Sequence, residues 1–185
     1  GVTTPAGFRA AGVAAGIRKK PGRKDCALVV SDHPAEMAGM FTINLMKSPP
    51  VHWNIKVREG GRGRAVFINS GIANAATGQR GHDDVQTTVT KLAELLGFPK
   101  EEICVCSTGI IGQHLPMDRI IDGVTQCAGA LSVDGSDDAA HAIMTTDTVP
   151  KEFAAEVELS SGTIRFGAIA KGSGMIAPNM ATMIS

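Results

Sequence analysis

The residues able to do chemistry in this 185-residue chain gather in four short clusters that mix polar side chains with glycine or threonine. They are Asn69-Ser70-Gly71-Ile72-Ala73-Asn74, Ser107-Thr108-Gly109-Ile110-Ile111-Gly112, Met144-Thr145-Thr146-Asp147-Thr148 and Lys171-Gly172-Ser173-Gly174-Met175. Each falls at the end of a predicted strand or helix, where loops present groups to a ligand. One such cluster is ordinary turn chemistry. Four in one domain, with Thr182 set among apolar neighbours, point to a site. More familiar devices are missing: there is no GxSxG elbow, HExxH pair, Walker loop or GxGxxG between strand and helix. His33 and His52 lie beside prolines or turn residues, and His82, His114 and His141 flank predicted helices, so solvated or capping roles suit all five. Cys104 and Cys106 face one side of a strand. Without further ligands they read as small core residues, and no metal is expected.

Composition sets the frame for these clusters. Eighteen basic and eighteen acidic side chains cancel, and 43% of the residues are apolar against 19% charged. Such a chain can bury a core, and it offers no basic field for nucleic acid or an anionic membrane. No apolar run approaches the ~20 residues of a membrane helix, and no signal peptide precedes the first strand-like segment. The four cysteines, Cys26, Cys104, Cys106 and Cys127, lack CxxC spacing and read as reduced thiols of a cytoplasmic protein. With no tyrosine and 22 glycines, the core must come from Val, Ile, Leu, Ala and Met, packed with backbones close together.

The elements that must position the clusters follow from pattern. The first twenty residues read as irregular surface chain. Cys26–Ser31 and Ala38–Thr42 read as strands linked by a turn around Asp32, His33 and Pro34. Ala65–Asn69 is a continuous apolar run, hence a buried strand. A helix starts near Asp83-Asp84, carries Val85, Val89, Leu92 and Leu96 on one face, and stops at Gly97. A strand at Ile103–Ser107 precedes a second helix from about Pro116, with Ile120, Val124, Cys127 and Leu131 on one face. A weaker helix covers Asp137–Met144. Glu156–Leu159 and Thr163–Phe166 alternate strictly and form a hairpin through Ser160-Ser161-Gly162. Gly167–Ala170 is strand-like, and the apolar run after it predicts that the chain is part of a larger polypeptide.

Taken together, these motifs resemble the N-terminal (α) segment of the ornithine acetyltransferase family, also called bifunctional glutamate N-acetyltransferase. The matching stretches are Gly1–Gly16, Arg23-Lys24-Asp25 with the following strand, Asn69-Ser70-Gly71, Ser107-Thr108-Gly109, Leu115-Pro116-Met117-Asp118, Met144–Thr148 and Lys171–Met183. The resemblance implies an α+β layered sandwich, with two β-sheets between outer helices. It is of the self-cleaving N-terminal-nucleophile type and is completed by a C-terminal β chain. Residues 1–185 would then be the α-chain segment, partnered by that β chain in an (αβ)2 assembly. The implied reaction moves acetyl from N2-acetyl-L-ornithine to L-glutamate in arginine biosynthesis, with small amino acids as substrates and no cofactor; some relatives also accept acetyl-CoA as donor. The neighbouring class is an N-terminal-nucleophile aminopeptidase or amidase, which would use water as acceptor. A glycine-rich binding module with an inert Thr182 is the non-enzymatic rival.

The same resemblance assigns roles. Cleavage falls at Ala181-Thr182, and Thr182 becomes the nucleophile, its new α-amine serving as base because such an amine titrates near pH ~8. Thr108, by its hydroxyl, and Gly109, by its N–H, match the oxyanion hole. Thr145, Lys171 and Thr182 match substrate-binding positions. Two departures stand out: Ile72 replaces the family's Asn and Ala76 its Cys, so hydrogen bonds made there by relatives are lost. The chain also runs three residues past Thr182, whereas a processed α chain ends at Ala181; the intact motif favours an uncut or truncated chain over a shifted cut.

Overall fold

The computed structural model of the chain describes residues 1–174 and 183–185. In order, the elements are β1 (Phe8–Val13), β2 (Cys26–Glu36), α1 (Pro49–Glu59), β3 (Arg62–Ile72), α2 (Gly78–Leu96), β4 (Ile103–Ile110), α3 (Met117–Gly129), α4 (Ser136–Ile143), β5 (Lys151–Leu159) and β6 (Gly162–Ala170). A four-stranded sheet runs β1-β2-β3-β4, antiparallel except for the parallel β3–β4 pair, and β5 and β6 form a separate antiparallel sheet. A parallel neighbour needs a long crossover, which α2 supplies.

The continuous apolar strands are explained by cover on both faces. On one, Leu28, Val30, Phe67, Ile103 and Val105 meet Val89 and Leu92 of α2 and Ile120, Val124 and Cys127 of α3. On the other, Ala10, Ala27 and Ile68 meet Ala139, Ala142 and Ile143 of α4, together with Ile169 of β6. The class is therefore α+β, two sheets with helices. As the spacing predicts, α2 ends at Gly97, whose φ of 70° is left-handed and whose N–H donates to the Ala93 carbonyl at 2.9 Å.

Four expectations need correcting. The first twenty residues are not all irregular: Phe8–Val13 pairs with β2 in register from Phe8↔Ser31 to Val13↔Cys26. Its small residues hide the pattern because they serve close approach. A Cβ on Gly12 would fall on the Asp138 carbonyl, and one on Gly135 on the Ala10 carbonyl, so α4 lies against β1 at backbone distance. Next, Asp32-His33-Pro34 is no turn. It lies inside β2, where the register with β3 shifts between Val30 and Ala35, the bulge a proline without an N–H tolerates. Ala38–Thr42 is not a strand but open chain with Met40 strongly exposed. Finally, α2 begins at Gly78, so Asp83-Asp84 does not cap it; Asp84 is buried within the helix, where burial raises its acid pKa against the opposing Arg80 and His114 charges.

Helix α1 is invisible to apolar spacing because polar side chains hold it. Trp53 Nε1 donates to the Ile103 carbonyl at 2.8 Å. The Asn54 amide donates to the Val105 carbonyl (2.8 Å) and accepts from its N–H (3.0 Å), completing the edge of β4 as another strand would.

Leu92 is fully buried where α2 meets the sheet. In the full-length protein, Leu92→Ala is expected to lower stability by about 2–5 kcal/mol in denaturant unfolding. Exposed Glu94→Ala, two residues on, should change it by less than about 0.5 kcal/mol.

Candidate active site

Three of the four polar clusters meet where β4, α4 and β6 end. β4 delivers Thr108, fully buried. The chain leaving α4 delivers Thr145, half-buried. β6 runs into Lys171, only 1% exposed. The Lys171 ammonium donates to Thr108 Oγ1 at 3.1 Å and to Thr145 Oγ1 at 2.6 Å. Residues 63 and 26 positions away in sequence thus share one cation. Burial lowers the Lys171 pKa; the Asp147 charge opposes that fall, and Arg18 and Lys151 add to it.

Gly109 follows Thr108 with a φ of 134°, and its partner across the parallel ladder, Gly71, has a φ of 116°. A Cβ on Gly109 would fall on the Gly71 backbone, so only glycine fits. The backbone turns out of regular strand geometry at this pair, beside the Thr108 hydroxyl.

Sequence reading left Asp147, Arg18 and Arg23 without roles, and the structure brings all three to the cluster. The fully buried Asp147 carboxylate accepts from Lys151 Nζ (2.5 Å), the Gly172 N–H (2.8 Å) and the Thr145 N–H (3.1 Å). Burial pushes its pKa up, but the Lys151 bond and the two amides outweigh this and hold it well below the usual carboxylate range. Arg18 donates to the Met144 carbonyl and Arg23 to the Thr145 carbonyl (3.2 Å). The Asp25 carboxylate anchors that basic loop by accepting from the Ala15 and Arg18 N–H groups at 2.7 and 3.0 Å. Asp147 stands inside a cluster quoted from the sequence and Arg23 inside the quoted Arg23-Lys24-Asp25 stretch, whereas Arg18 lies in no quoted motif.

The Asn69–Asn74 cluster does different work. Ser70 Oγ donates to the Ala142 carbonyl (2.6 Å), Ser107 Oγ to Asn69 Oδ1 (2.6 Å), and Asn74 Nδ2 to the Gly81 carbonyl (3.0 Å). It ties β3 to α4, β4 and α2. Ile72 packs against the main apolar cluster and Ala76 takes a φ of 56°.

Ala181 and Thr182 lie outside the described residues. The chain on either side is tied, however: Lys171 N–H donates to the Ile184 carbonyl at 2.8 Å and Ile184 N–H to the Lys171 carbonyl at 3.2 Å. Beside this pair opens a cavity of about 740 Å3 lined by Met37, Phe41, Asn54, Cys106, Ser107 and Ile184, within the size range of small-molecule sites. All four cysteines are free thiols, and burial raises each of their pKa values, that of Cys106 to about 11 and that of Cys104 to about 12. None is a ready nucleophile. Among the described residues no helix is long and apolar enough to cross a membrane.

Comparison with known proteins identifies the family and agrees with the fold. The family model described as "ArgJ family" matches residues 9–185. The arginine biosynthesis bifunctional protein ArgJ of Symbiobacterium thermophilum is 51% identical over the whole chain, and that of Caldanaerobacter subterraneus 44%. The chain covers 46% and 45% of these two proteins, so it spans less than half the length of the curated relatives it matches. The crystal structure of a Mycobacterium tuberculosis ornithine acetyltransferase complexed with ornithine superposes with a TM-score of 0.90 at 46% identity, over 98% of this chain and 96% of that one. The Bacillus halodurans arginine biosynthesis bifunctional protein gives 0.88 at 40% identity, over 97% and 94%. A family model spanning nearly every residue and solved relatives of the same fold lead to one conclusion: the chain belongs to the ArgJ family.

Proposed function

We propose that residues 1–185 are the α segment of a self-processing acetyltransferase that carries acetyl from N2-acetyl-L-ornithine to L-glutamate through an ester on Thr182. One observation carries the reading: a buried lysine joins the Thr108 and Thr145 hydroxyls. The relatives' names point to arginine biosynthesis, and the solved relative holds ornithine.

The chemistry divides into processing and turnover. In the precursor, Thr182 Oγ adds to the Ala181 carbonyl carbon, the C–N bond breaks, and water hydrolyses the resulting ester. Ala181 gains a carboxylate and Thr182 a free amine. In turnover that amine takes the hydroxyl proton as Oγ attacks the acetyl carbonyl. The proton then passes to the departing ornithine nitrogen, leaving acetyl-Thr182. The glutamate amine attacks this ester, releasing N-acetyl-glutamate and returning the hydroxyl. Both tetrahedral species carry an oxyanion, opposed by the Thr108 O–H and the Gly109 N–H. Because Thr108 Oγ1 accepts from Lys171, its own proton remains to be donated. The Lys171 charge suits an amino-acid carboxylate.

A C-terminal β segment is the proposed partner. The outer face of the β5–β6 hairpin gathers Phe153, Val157, Leu159, Ile164 and Phe166, all substantially exposed. A two-stranded hairpin with a bare apolar face is marginal in water and is stabilised by cover. The segment by which relatives exceed this chain is the proposed cover.

Full-length protein incubated with N-acetyl-ornithine and glutamate is expected to yield N-acetyl-glutamate; release of acetate alone would favour the amidase reading. Intact mass should show two chains separated between Ala181 and Thr182, with Thr182→Ala remaining one chain. Efficient cutting of that variant would overturn the assignment. Thr108→Val, which keeps shape but removes the hydroxyl, should lower kcat by about 10²–10³-fold, measured by single-substrate kinetics on the processed enzyme.

A further inference from the structure

Asp147 combines full burial with three charge-assisted or amide hydrogen bonds, and the reaction above does not use it. The identity of its partners is informative. The Thr145 N–H, on Oδ2, belongs to the residue whose hydroxyl meets Lys171 at 2.6 Å. The Gly172 N–H, on Oδ1, is the amide immediately after Lys171. One carboxylate therefore grips the backbone at both ends of the Lys171–Thr145 hydrogen bond. These two segments come from different elements, the exit of α4 and the end of β6, and each could shift relative to the other without this tie.

We propose that Asp147 is a positioning residue for acetyl transfer, its carboxylate fastening the Thr145 loop to the Lys171-Gly172 segment so that the ammonium and both hydroxyls stay in register. The inference rests on the functional reading of the cluster given above. Only a carboxylate suits the position. Both oxygens accept, whereas an asparagine would turn an NH2 donor toward one of the N–H groups. A loss of register of about 1 Å at such a site costs on the order of 10²-fold in rate.

Charge gives the idea a signature that simple structural glue lacks. Among the described residues, the charged groups acting on Lys171 include Asp147, which favours its protonated form, and Arg18 and Lys151, which disfavour it. Its immediate partners from β4 and the α4 exit are the Thr108 and Thr145 hydroxyls, and Arg23 lies behind at the Thr145 carbonyl. Removing the Asp147 charge should let Lys171 lose its proton at lower pH. Removing Lys151 takes away a repelling cation and leaves Asp147 facing Lys171, so that proton should be held to higher pH.

The experiment uses the full-length, processed enzyme with N-acetyl-ornithine and glutamate. Asp147→Asn is expected to lower kcat/KM by about 10²-fold and to move the alkaline limb of its pH profile to lower pH. Lys151→Gln should move the same limb to higher pH. Opposite displacements support the proposal; wild-type profiles in both variants overturn it. Should Asp147→Asn fail to fold by circular dichroism, Lys151→Gln carries the test, an unmoved limb overturning the idea. Wild-type enzyme that makes no N-acetyl-glutamate would sink the functional reading itself, a result visible before any variant is made. Acid stability is a separate readout. The depressed Asp147 carboxyl contributes stability above the ordinary carboxylate range near pH ~4, lost as pH falls through its lower folded value. Asp147→Asn should flatten that loss even if Asp147 served structure alone.

Discussion

Burying an ammonium group is the constraint around which this domain is arranged. Lys171 is 1% exposed, and a cation so placed is costly unless hydrogen-bonded and electrostatically supported. Two hydroxyls and the nearby Asp147 carboxylate contribute to that need, Thr108 from β4 and both Thr145 and Asp147 from the chain leaving α4. Their convergence is fixed by apolar packing. Ile143 at the end of α4, Ile68 of β3 and Ile169 near the end of β6 belong to one cluster, so the polar ends of α4 and β6 are set by the same contacts that hold the smaller sheet to the larger. The hydrophobic effect brings the ends together, and hydrogen bonds then fix the angles.

Close backbone approach is the second requirement, and glycine meets it at a few decisive places. At the Gly71–Gly109 pair two strands come so near that no side chain fits between them, and both residues take backbone angles that other residues avoid. The β3–β4 ladder runs through this pair to Ile72↔Ile110, with its backbone bent out of regular strand angles beside Thr108. The cost of such glycines is conformational entropy in the unfolded chain. The wiring of Asn69, Ser70 and Asn74 to the surrounding elements offsets part of it.

How much of this could be read from the sequence depended on what each residue type does locally. Buried strands with branched side chains and helices with an apolar stripe, such as Val85, Val89 and Leu92, announce themselves. β1 did not, because Ala10 and Gly12 are small for the benefit of α4, and that reason is tertiary. α1 did not, because its key contacts are the polar reaches of Trp53 and Asn54 to an edge strand. Pro34 read as a turn since a proline inside a long strand makes sense only once the bulge is seen. Of the site, Thr108, Gly109, Thr145 and Lys171 were legible as motif, and the structure brings them together. Their mutual contact was not legible, since nothing local ties position 108 to position 171. Asp147 was in plain view within a quoted motif, yet besides the Thr145 amide in that motif its partners are a side chain four residues on and the Gly172 amide of a distant segment.

The choice of threonine rather than an acid on either side of Lys171 bears on what the site can hold. A carboxylate in direct contact at position 108 or 145 would neutralise the ammonium and leave it little to offer a ligand. Hydroxyls solvate the ammonium without neutralising it, and each keeps a proton to donate elsewhere. The Asp147 carboxylate, whose charge supports the protonated Lys171, is itself shared among Lys151 and two amides. Arg18 and Arg23 add two guanidinium groups whose bonds go to carbonyl oxygens, which likewise leave their charge standing. The local field is therefore positive, though the 185 residues as a whole carry no net charge. A ligand bearing a carboxylate is drawn to a positive spot of this kind.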